Sequence, residues 1–233
     1  ATSTTNAAAD LIALDAKTSA EVVATAMTTI TGSAANVKAV TITADVANSI
    51  STDSDYLVTL DDTTVAASAL SEIDSDTTGA VTVTSATTIT GTAAEVLVAA
   101  QSAGIVTATD YNATLSGTAS TAQLADIDDD TSGTILAAAV SDTLTNISSF
   151  NASTGSLLTN ATGTITATGD GNNDSVNFNT VGKAMTVLGL GGADNITGTA
   201  FDDTINGGTG IDSLFGGDGS DTFVFATGDS PTV

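Results

Sequence analysis

Near the end of the chain, apolar residues recur at a fixed interval between glycines and aspartates. From Val187 onward the interval is nine residues, and the step before it is 11. The recurring apolar residues are Val176, Val187, Ile196, Ile205, Leu214 and Phe223. In a strand, the two residues that flank each of these apolar residues would point to the opposite face. The pattern predicts short parallel strands around a narrow core, with two nonapeptides in each coil.

The nonapeptides follow the pattern G-G-x-G-x-D-x-U-x, in which U is apolar. Residues 207–215 and 216–224 match it at every position. Looser copies, which keep the Asp and the apolar residue, are 189–197, 198–206 and 169–177. The stretch 178–188 has Met185 in the place of the Asp, so it is expected to bind no ion. A mere string of turns would not keep this phase over several copies.

The composition of these turns favours a calcium site. Glycine adopts backbone conformations closed to other residues, so a tight turn can direct carbonyls and one carboxylate towards a common centre. Ca²⁺ takes six or more such oxygens. The predicted carboxylate ligands are Asp174, Asp194, Asp203, Asp212 and Asp221. The predicted glycines of the binding turns are Gly189, Gly191, Gly192, Gly207, Gly208, Gly210, Gly216, Gly217 and Gly219.

From about residue 169 to 224 the chain resembles the RTX family, the haemolysin-type calcium-binding repeats. The resemblance implies a parallel β-roll, calcium as the bound ion, and secretion by a type I system. It also implies that external calcium folds a chain that is exported unfolded.

The same resemblance implies which carboxylates share an ion, because ligands recur in every second nonapeptide. Asp194 is implied to pair with Asp212. Asp203 is implied to pair with Asp221. Asp174 lies 20 residues before Asp194 and would extend the first row if two extra residues bulge out.

A longer repeat precedes the nonapeptides. Its mark is a short strand of the type Thr-apolar-polar, found at 29–32, 59–62, 88–91, 114–117 and 143–146. The intervals average about 28 residues, a length typical of repeat architectures. Helix-prone segments follow at 33–37, 63–73, 92–103 and 118–127, and Thr92 with Glu95 fits a capping box. Second β-prone stretches follow at 79–84 and 105–107.

We therefore predict a repeat solenoid: an α/β solenoid of about 28-residue coils over 1–150, a transition segment over 151–168, and the β-roll over 169–233. The longer repeats loosely resemble those of bacterial surface-layer and secreted repeat proteins.

Charge narrows the choice of partners. The net charge is −24, with 27 acidic residues against three lysines. Nucleic acid and anionic membrane surfaces require clustered Lys and Arg, so both are excluded as partners. The apolar runs are far shorter than the about 20 residues that span a bilayer, so membrane insertion is not expected. Divalent cations are the expected counter-ions.

Catalysis is not expected. The chain has no His and no Cys, which removes Ser-His-Asp and Cys-His chemistry and the usual zinc ligands. An acidic pair could act on glycosides, and the clusters at 128–130 and at Asp53 and Asp55 are the candidates. Acidic turns between repeats explain these clusters more simply.

The function predicted from these features is a secreted, extracellular calcium-binding structural protein of the bacterial cell surface, as a surface-layer, fibre or adhesin component. Its further partners would be other copies of itself or a cell-surface polysaccharide. One alternative is an ice- or crystal-surface-binding solenoid, suggested by Thr-x-Thr at 29–31, 88–90 and 143–145 and weakened by Asp61 and Ser116. Another is a non-catalytic fragment of a larger RTX enzyme or toxin.

Overall fold

The structure, a computed structural model, describes residues 4–44, 49–154, 156–226 and 229. The chain divides into two compact units, Ala1–Thr114 with Ile127–Thr134, and Leu115–Asp126 with Ile135–Val233. The division into an α/β solenoid at 1–150, a transition segment at 151–168 and a β-roll at 169–233 remains a prediction from the sequence.

Helices and strands alternate over the first two thirds of the chain, and strands alone follow. The helices are α1 (Ala8–Asp15), α2 (Ala34–Lys38), α3 (Ala67–Asp76), α4 (Ala93–Ala100), α5 (Thr121–Asp130), α6 (Leu144–Thr154) and α7 (Ser156–Thr159), with a π-helical stretch at Ala39–Ala44. The first ten strands are β1 (Thr5–Ala7), β2 (Val22–Val23), β3 (Thr29–Gly32), β4 (Ile50–Ser51), β5 (Leu57–Leu60), β6 (Thr64–Ala66), β7 (Val81–Val83), β8 (Thr88–Thr92), β9 (Ile105–Thr107) and β10 (Asn112–Ala119). The remaining strands are β11 (Ile135–Thr143), β12 (Ile165–Thr168), β13 (Ser175–Asn177), β14 (Met185–Leu188), β15 (Asn195–Thr197), β16 (Thr204–Asn206), β17 (Ser213–Phe215) and β18 (Thr222–Phe223).

The first unit contains a parallel sheet in the order β1-β3-β5-β7-β9. Its central column places Ile30, Val58, Val81 and Ile105 beside one another in register. All four side chains are buried. Each pass of the chain thus adds one aliphatic residue to a continuous core, as stacked repeats require. Smaller parallel pairs are β2 with β4 and β6 with β8.

This arrangement confirms the coarse part of the predicted fold, because parallel sheets and several helices are compatible with a repeat, solenoid-like α/β architecture. The uniform period of about 28 residues is not observed. Thr29 pairs with Leu57, an offset of 28, whereas Val58 pairs with Val81 at 23 and Val81 with Ile105 at 24. The longest step contains both α2 and the π-helical stretch, which lengthen the excursion between strands.

The phase of the predicted repeat also differs from the structure. Thr59 lies beside Thr31, not beside Thr29. Thr88 pairs with Thr64 and so belongs to a different pair of strands from Thr59. The extra strand β6, which the sequence pattern did not separate from the following helix, explains the difference.

Local capping decides where two of the helices begin. Thr92 and Glu95 form the predicted capping box: the Glu95 amide donates to Thr92 Oγ1 at 3.2 Å, and the Thr92 amide donates to Glu95 Oε2 at 2.7 Å. At 143–146 a strand was predicted, but helix α6 begins at Leu144. The Asn146 amide donates to Thr143 Oγ1 at 3.1 Å, so this threonine acts as a helix cap.

A tyrosine–aspartate contact occurs twice in the first unit and marks a duplication. Tyr56 donates its hydroxyl to Asp76 Oδ2 at 2.6 Å, and Tyr111 donates to Asp130 Oδ2 at 2.8 Å. In both cases the threonine after the aspartate donates to the tyrosine carbonyl at 2.6 Å. Both tyrosines are buried. The two tyrosines lie 55 residues apart in the sequence, about twice the predicted repeat length.

In the second unit, successive short strands alternate between two parallel sheets. One sheet has the order β13-β15-β17, and the other contains β12-β14-β16-β18, with β11 beside β12. Asn195 pairs with Ser213 and Thr204 with Thr222, so paired strands lie 18 residues apart, the length of two nonapeptides. Ser175 pairs with Asn195 at an offset of 20.

The predicted inward residues form the core between these strands, with two exceptions at the ends. Val187, Ile196, Ile205 and Leu214 are buried. Val176 and Phe223 are only half-buried, and they lie on β13 and β18, each at one end of its sheet.

Candidate metal site

The first carboxylate row runs beside the three-stranded sheet. The aspartates Asp174, Asp194 and Asp212 each immediately precede a strand of that sheet. The Asp174 amide donates to Asp194 Oδ1 at 2.8 Å, and the Asp194 amide donates to Asp212 Oδ1 at 3.0 Å. The structure therefore brings together Asp194 and Asp212, which the resemblance implied to be a pair, and Asp174, which it implied as a possible extension of the row.

The second oxygens of two of these carboxylates are buried without a partner. Asp194 Oδ2 and Asp212 Oδ2 accept no hydrogen bond, and each residue is 1% exposed. Leaving a buried charged acceptor unsatisfied is costly, so each of these two oxygens needs a partner such as a water molecule or a cation. Carboxylate oxygens are typical ligands of divalent cations such as Ca²⁺.

The electrostatic setting of Asp194 has the same implication. Burial raises the pKa of its carboxyl group, although the hydrogen bond from the Asp174 amide acts in the opposite direction. The charges of Asp212, Asp174 and Asp170 raise the pKa further. An ion between the coils would remove both the desolvation cost and this repulsion.

The first glycine of each repeat is held against the carboxylate of the same repeat. A Cβ on Gly207 would lie 2.5 Å from Asp212 Oδ2, and a Cβ on Gly189 or Gly216 would overlap the Oδ2 of Asp194 or Asp221. Any larger residue would displace the carboxylate. These three glycines therefore position the candidate ligands.

The second and fourth glycines have backbone angles that L residues rarely adopt. Gly208, Gly217, Gly192, Gly210 and Gly219 all have φ between 88° and 137°. At the second position of the looser repeat, Leu190 has φ 74°. Gly191, at a third position, donates its amide to the Asp170 carbonyl at 3.2 Å. All the predicted glycines thus lie in the turns between strands.

The second carboxylate row has a different set of contacts. The Asp203 amide donates to Asp221 Oδ1 at 3.0 Å, as predicted for two residues of one row. Met185, in the place of an aspartate, donates its amide to Asp203 Oδ1 at 2.7 Å. Thr199 donates its amide to Asp203 Oδ2 at 2.6 Å and its hydroxyl to Oδ1 at 3.0 Å. Both oxygens of Asp203 are therefore satisfied within the protein.

Thr199 is the residue of this region that the sequence did not single out. It stands where the complete repeats have their second glycine, and it is 1% exposed. The sequence signal was a threonine in a position where the complete repeats have glycine, which does not by itself reveal the hydrogen bonds to Asp203.

The ends of the two rows are more open. Asp174 and Asp221 are half-buried, because their turns are the first and last of their rows. Asp174 borders a cleft of about 180 Å³ that Asp170 and Leu144 also line. Its Oδ2 accepts only a long bond, 3.4 Å, from the Asp170 amide.

Side chains alone do not complete a metal site. Within 4–44, 49–154, 156–226 and 229, no group of three or more His, Cys, Asp or Glu side chains is placed to hold an ion. Backbone carbonyls of the turns would have to supply the remaining oxygens, as they do at many calcium sites.

The other sequence candidates have different surroundings. Asp128 and Asp129 are exposed on α5, and Asp130 accepts the Tyr111 hydroxyl. Among the Thr-x-Thr residues, Thr31 pairs with Thr59 on the adjacent strand, and Thr59 pairs with Thr82 on the next, which makes one column of threonines across the sheet. The companion column joins Thr5 to Thr29 and ends there, because Leu57 pairs with Thr29 on the other side. Thr145 lies in α6 and belongs to neither column.

Comparison with known proteins identified no relative: no protein family, no curated protein and no solved structure matches the chain. Among the helices that the structure describes, none has the length and apolar character needed to cross a bilayer. The candidate site therefore rests on the geometry of the described residues.

Proposed function

We propose that this chain is a secreted calcium-binding structural protein of the bacterial cell surface, a component of a surface layer, fibre or adhesin. In this proposal, residues 169–224 are a β-roll of the RTX type that Ca²⁺ stabilises. The observation that carries it is the pair of buried, unpartnered oxygens, Asp194 Oδ2 and Asp212 Oδ2, on stacked glycine-rich turns. The two complete nonapeptides support it independently.

The residues that would hold the ion are Asp194 and Asp212, with Asp174 at the open end of the row. Carbonyls of the neighbouring glycine turns would complete the shell. When bound, calcium supplies positive charge between carboxylates of adjacent coils. Two like charges one strand spacing apart, about 4.8 Å, repel by about 3 kcal/mol at an effective dielectric constant of 20. Removing this repulsion for each pair of coils would decide whether the turns stack.

The same energetics support the proposed location outside the cell. Extracellular calcium modules bind with dissociation constants of about 0.1 to 1 mM, so they are empty at cytosolic calcium levels and filled outside. A chain with net charge −24 and self-repelling turns would stay unfolded in this region until it meets calcium. This behaviour suits export by a type I system.

Calorimetry with Ca²⁺ tests the proposal directly. Wild-type protein should bind calcium in the range up to about 1 mM, and Asp194→Asn or Asp212→Asn should weaken binding at least about tenfold. The matched control is Asp129→Asn, because Asp129 is exposed on α5. Absence of calcium binding, or equal binding by Asp129→Asn and Asp212→Asn, would refute the metal site.

The structural role needs a separate test. Electron microscopy of the protein with calcium and with EDTA should show ordered arrays or fibres only with calcium. Attachment to purified cell-surface polysaccharide, measured under both conditions, tests the adhesin form of the role. Calcium-bound protein that neither assembles nor attaches would leave the metal site intact and reject the surface role.

A further inference from the structure

The two carboxylate rows differ in a way that the repeat pattern does not predict. Asp194 Oδ1 accepts one hydrogen bond, from the Asp174 amide, and Asp212 Oδ1 accepts one, from the Asp194 amide. The Oδ2 atoms of both residues accept none. Asp203 accepts three hydrogen bonds, distributed over both oxygens. All three carboxylates are equally buried, at 1% exposure. Burial therefore does not separate them, but hydrogen bonding does.

We propose that Thr199 takes the place of a cation at Asp203, so that calcium binds the row of Asp194 and Asp212 and not Asp203. The claim that calcium binds at Asp194 and Asp212 rests on the proposed function. The claim that hydrogen bonds within the protein satisfy the Asp203 carboxylate does not depend on it.

The chemistry of the replacement is specific. A cation at a carboxylate neutralises charge and occupies lone pairs, and two or three hydrogen-bond donors can satisfy the same lone pairs. The Thr199 hydroxyl and amide converge on Asp203 from the same turn, at 3.0 and 2.6 Å. Met185 completes the set from the coil before. In the complete repeats, the residue at the position of Thr199 is glycine, which has no hydroxyl.

Asp→Asn substitutions at residues 203 and 212 can measure this difference in hydrogen bonding, because the Asn side chain has one acceptor group and one donor group, whereas a carboxylate has two acceptors. At residue 203 the new NH₂ must face a backbone or hydroxyl donor, since both oxygens of Asp203 accept. At residue 212 the amide oxygen can take the position of Oδ1, and the NH₂ falls where no donor lies. In saturating calcium, Asp203→Asn should lower Tm by about 5 °C because acceptors of the folded state are lost. Asp212→Asn should also lower Tm there, but through loss of the ion, so a calcium titration is needed to separate the two variants.

Calcium titration gives the complementary result. Asp203→Asn should retain the number of bound ions and bind them within about twofold of wild type, whereas Asp212→Asn should lose binding or weaken it at least about tenfold. Loss of a bound ion in Asp203→Asn would overturn the proposal.

Thr199 itself is tested by two conservative variants in saturating calcium. Thr199→Val removes the hydroxyl and should lower Tm by about 5 °C, and Thr199→Ser, which keeps the hydroxyl, should recover most of the loss. Equal Tm values for the two variants would show that the hydroxyl does not hold Asp203. If wild-type protein binds no calcium, the proposed function fails, but the Tm comparison of the two Thr199 variants still decides whether Thr199 satisfies Asp203.

Discussion

Leu190 and Gly208 hold the same place in consecutive coils, and both have positive φ, 74° and 88°. The Leu190 carbonyl lies against Gly208, since a Cβ on Gly208 would come within 2.2 Å of the carbonyl oxygen. The next residue, Thr209, donates its amide to the same oxygen at 2.9 Å. Leu190 is 53% exposed, so its side chain contributes little packing in exchange for an unfavourable backbone conformation.

Leu190→Gly should therefore stabilise the second unit by about 1 kcal/mol, because glycine adopts this conformation without a Cβ penalty. The measurement is the free energy of unfolding from urea denaturation in calcium. The control is Leu136→Gly on strand β11, where the ordinary backbone conformation predicts a loss of about 1 kcal/mol. A loss of stability in Leu190→Gly would contradict the assignment of strain.

Gly207→Ala should destabilise the second unit by at least about 2 kcal/mol and weaken calcium binding. The new methyl group would lie 2.5 Å from Asp212 Oδ2, so the carboxylate must move. Gly171→Ala is the matched control, since nothing lies within 4 Å of a Cβ at that position. Thermal unfolding and calorimetry of the two variants measure both effects, and similar results for both would argue against the close contact.

Asp142 should contribute stability that depends on pH. Burial alone would raise its pKa, but hydrogen bonds from Thr121, Asn146 and Thr143 outweigh burial and lower the pKa below the ordinary 3.8. The folded state therefore holds its proton less tightly than the unfolded state, so the contribution is present above 3.8 and is lost as pH falls through the lowered pKa.

The test compares wild type with Asp142→Asn over the acid range. The Tm difference should be full near neutral pH and should shrink once pH falls below 3.8. Asp126→Asn, at an exposed position of α5, controls for the general effect of removing one negative charge. A Tm difference that stays constant through the acid range would show that the carboxylate charge is not involved.

Tyr111→Phe should lower the free energy of unfolding of the first unit by about 1 to 2 kcal/mol. The substitution removes the 2.8 Å hydrogen bond to Asp130 Oδ2 and keeps the ring in the core. Denaturant titration of Tyr111→Phe, Asp130→Asn and the double variant gives the coupling between the two side chains. Additive losses would mean that the hydroxyl and the carboxylate do not interact.

Much of the second unit was predictable because glycine and aspartate occupy positions that geometry restricts. The glycines at 207 and 208 are required by a close contact and by positive φ, so their spacing sets the coil length. Even Met185, which interrupts the aspartate pattern, takes the backbone position predicted for it. The role of Thr199 was not predictable from the pattern, since it depends on where a single hydroxyl points.

The first unit was less predictable because its repeats lack such fixed points. Threonine suits a strand and a helix cap equally, so the sequence did not show that Thr143 ends a strand and caps α6. Strand register there is decided by which aliphatic residues meet in the core, as at Ile30 and Val58. The repeat period therefore predicted stacked strands and helices in the first unit, but it did not predict which residues pair between adjacent strands.

The tight contacts of the turn glycines leave the intervening positions unconstrained. Ile211, in the fifth position of a complete repeat, is 72% exposed, and Asp218, in a third position, is also exposed. Mutational drift should therefore accumulate at these sites while the glycines stay fixed. Such a tract can acquire new surface chemistry during evolution without any change in the way its coils stack.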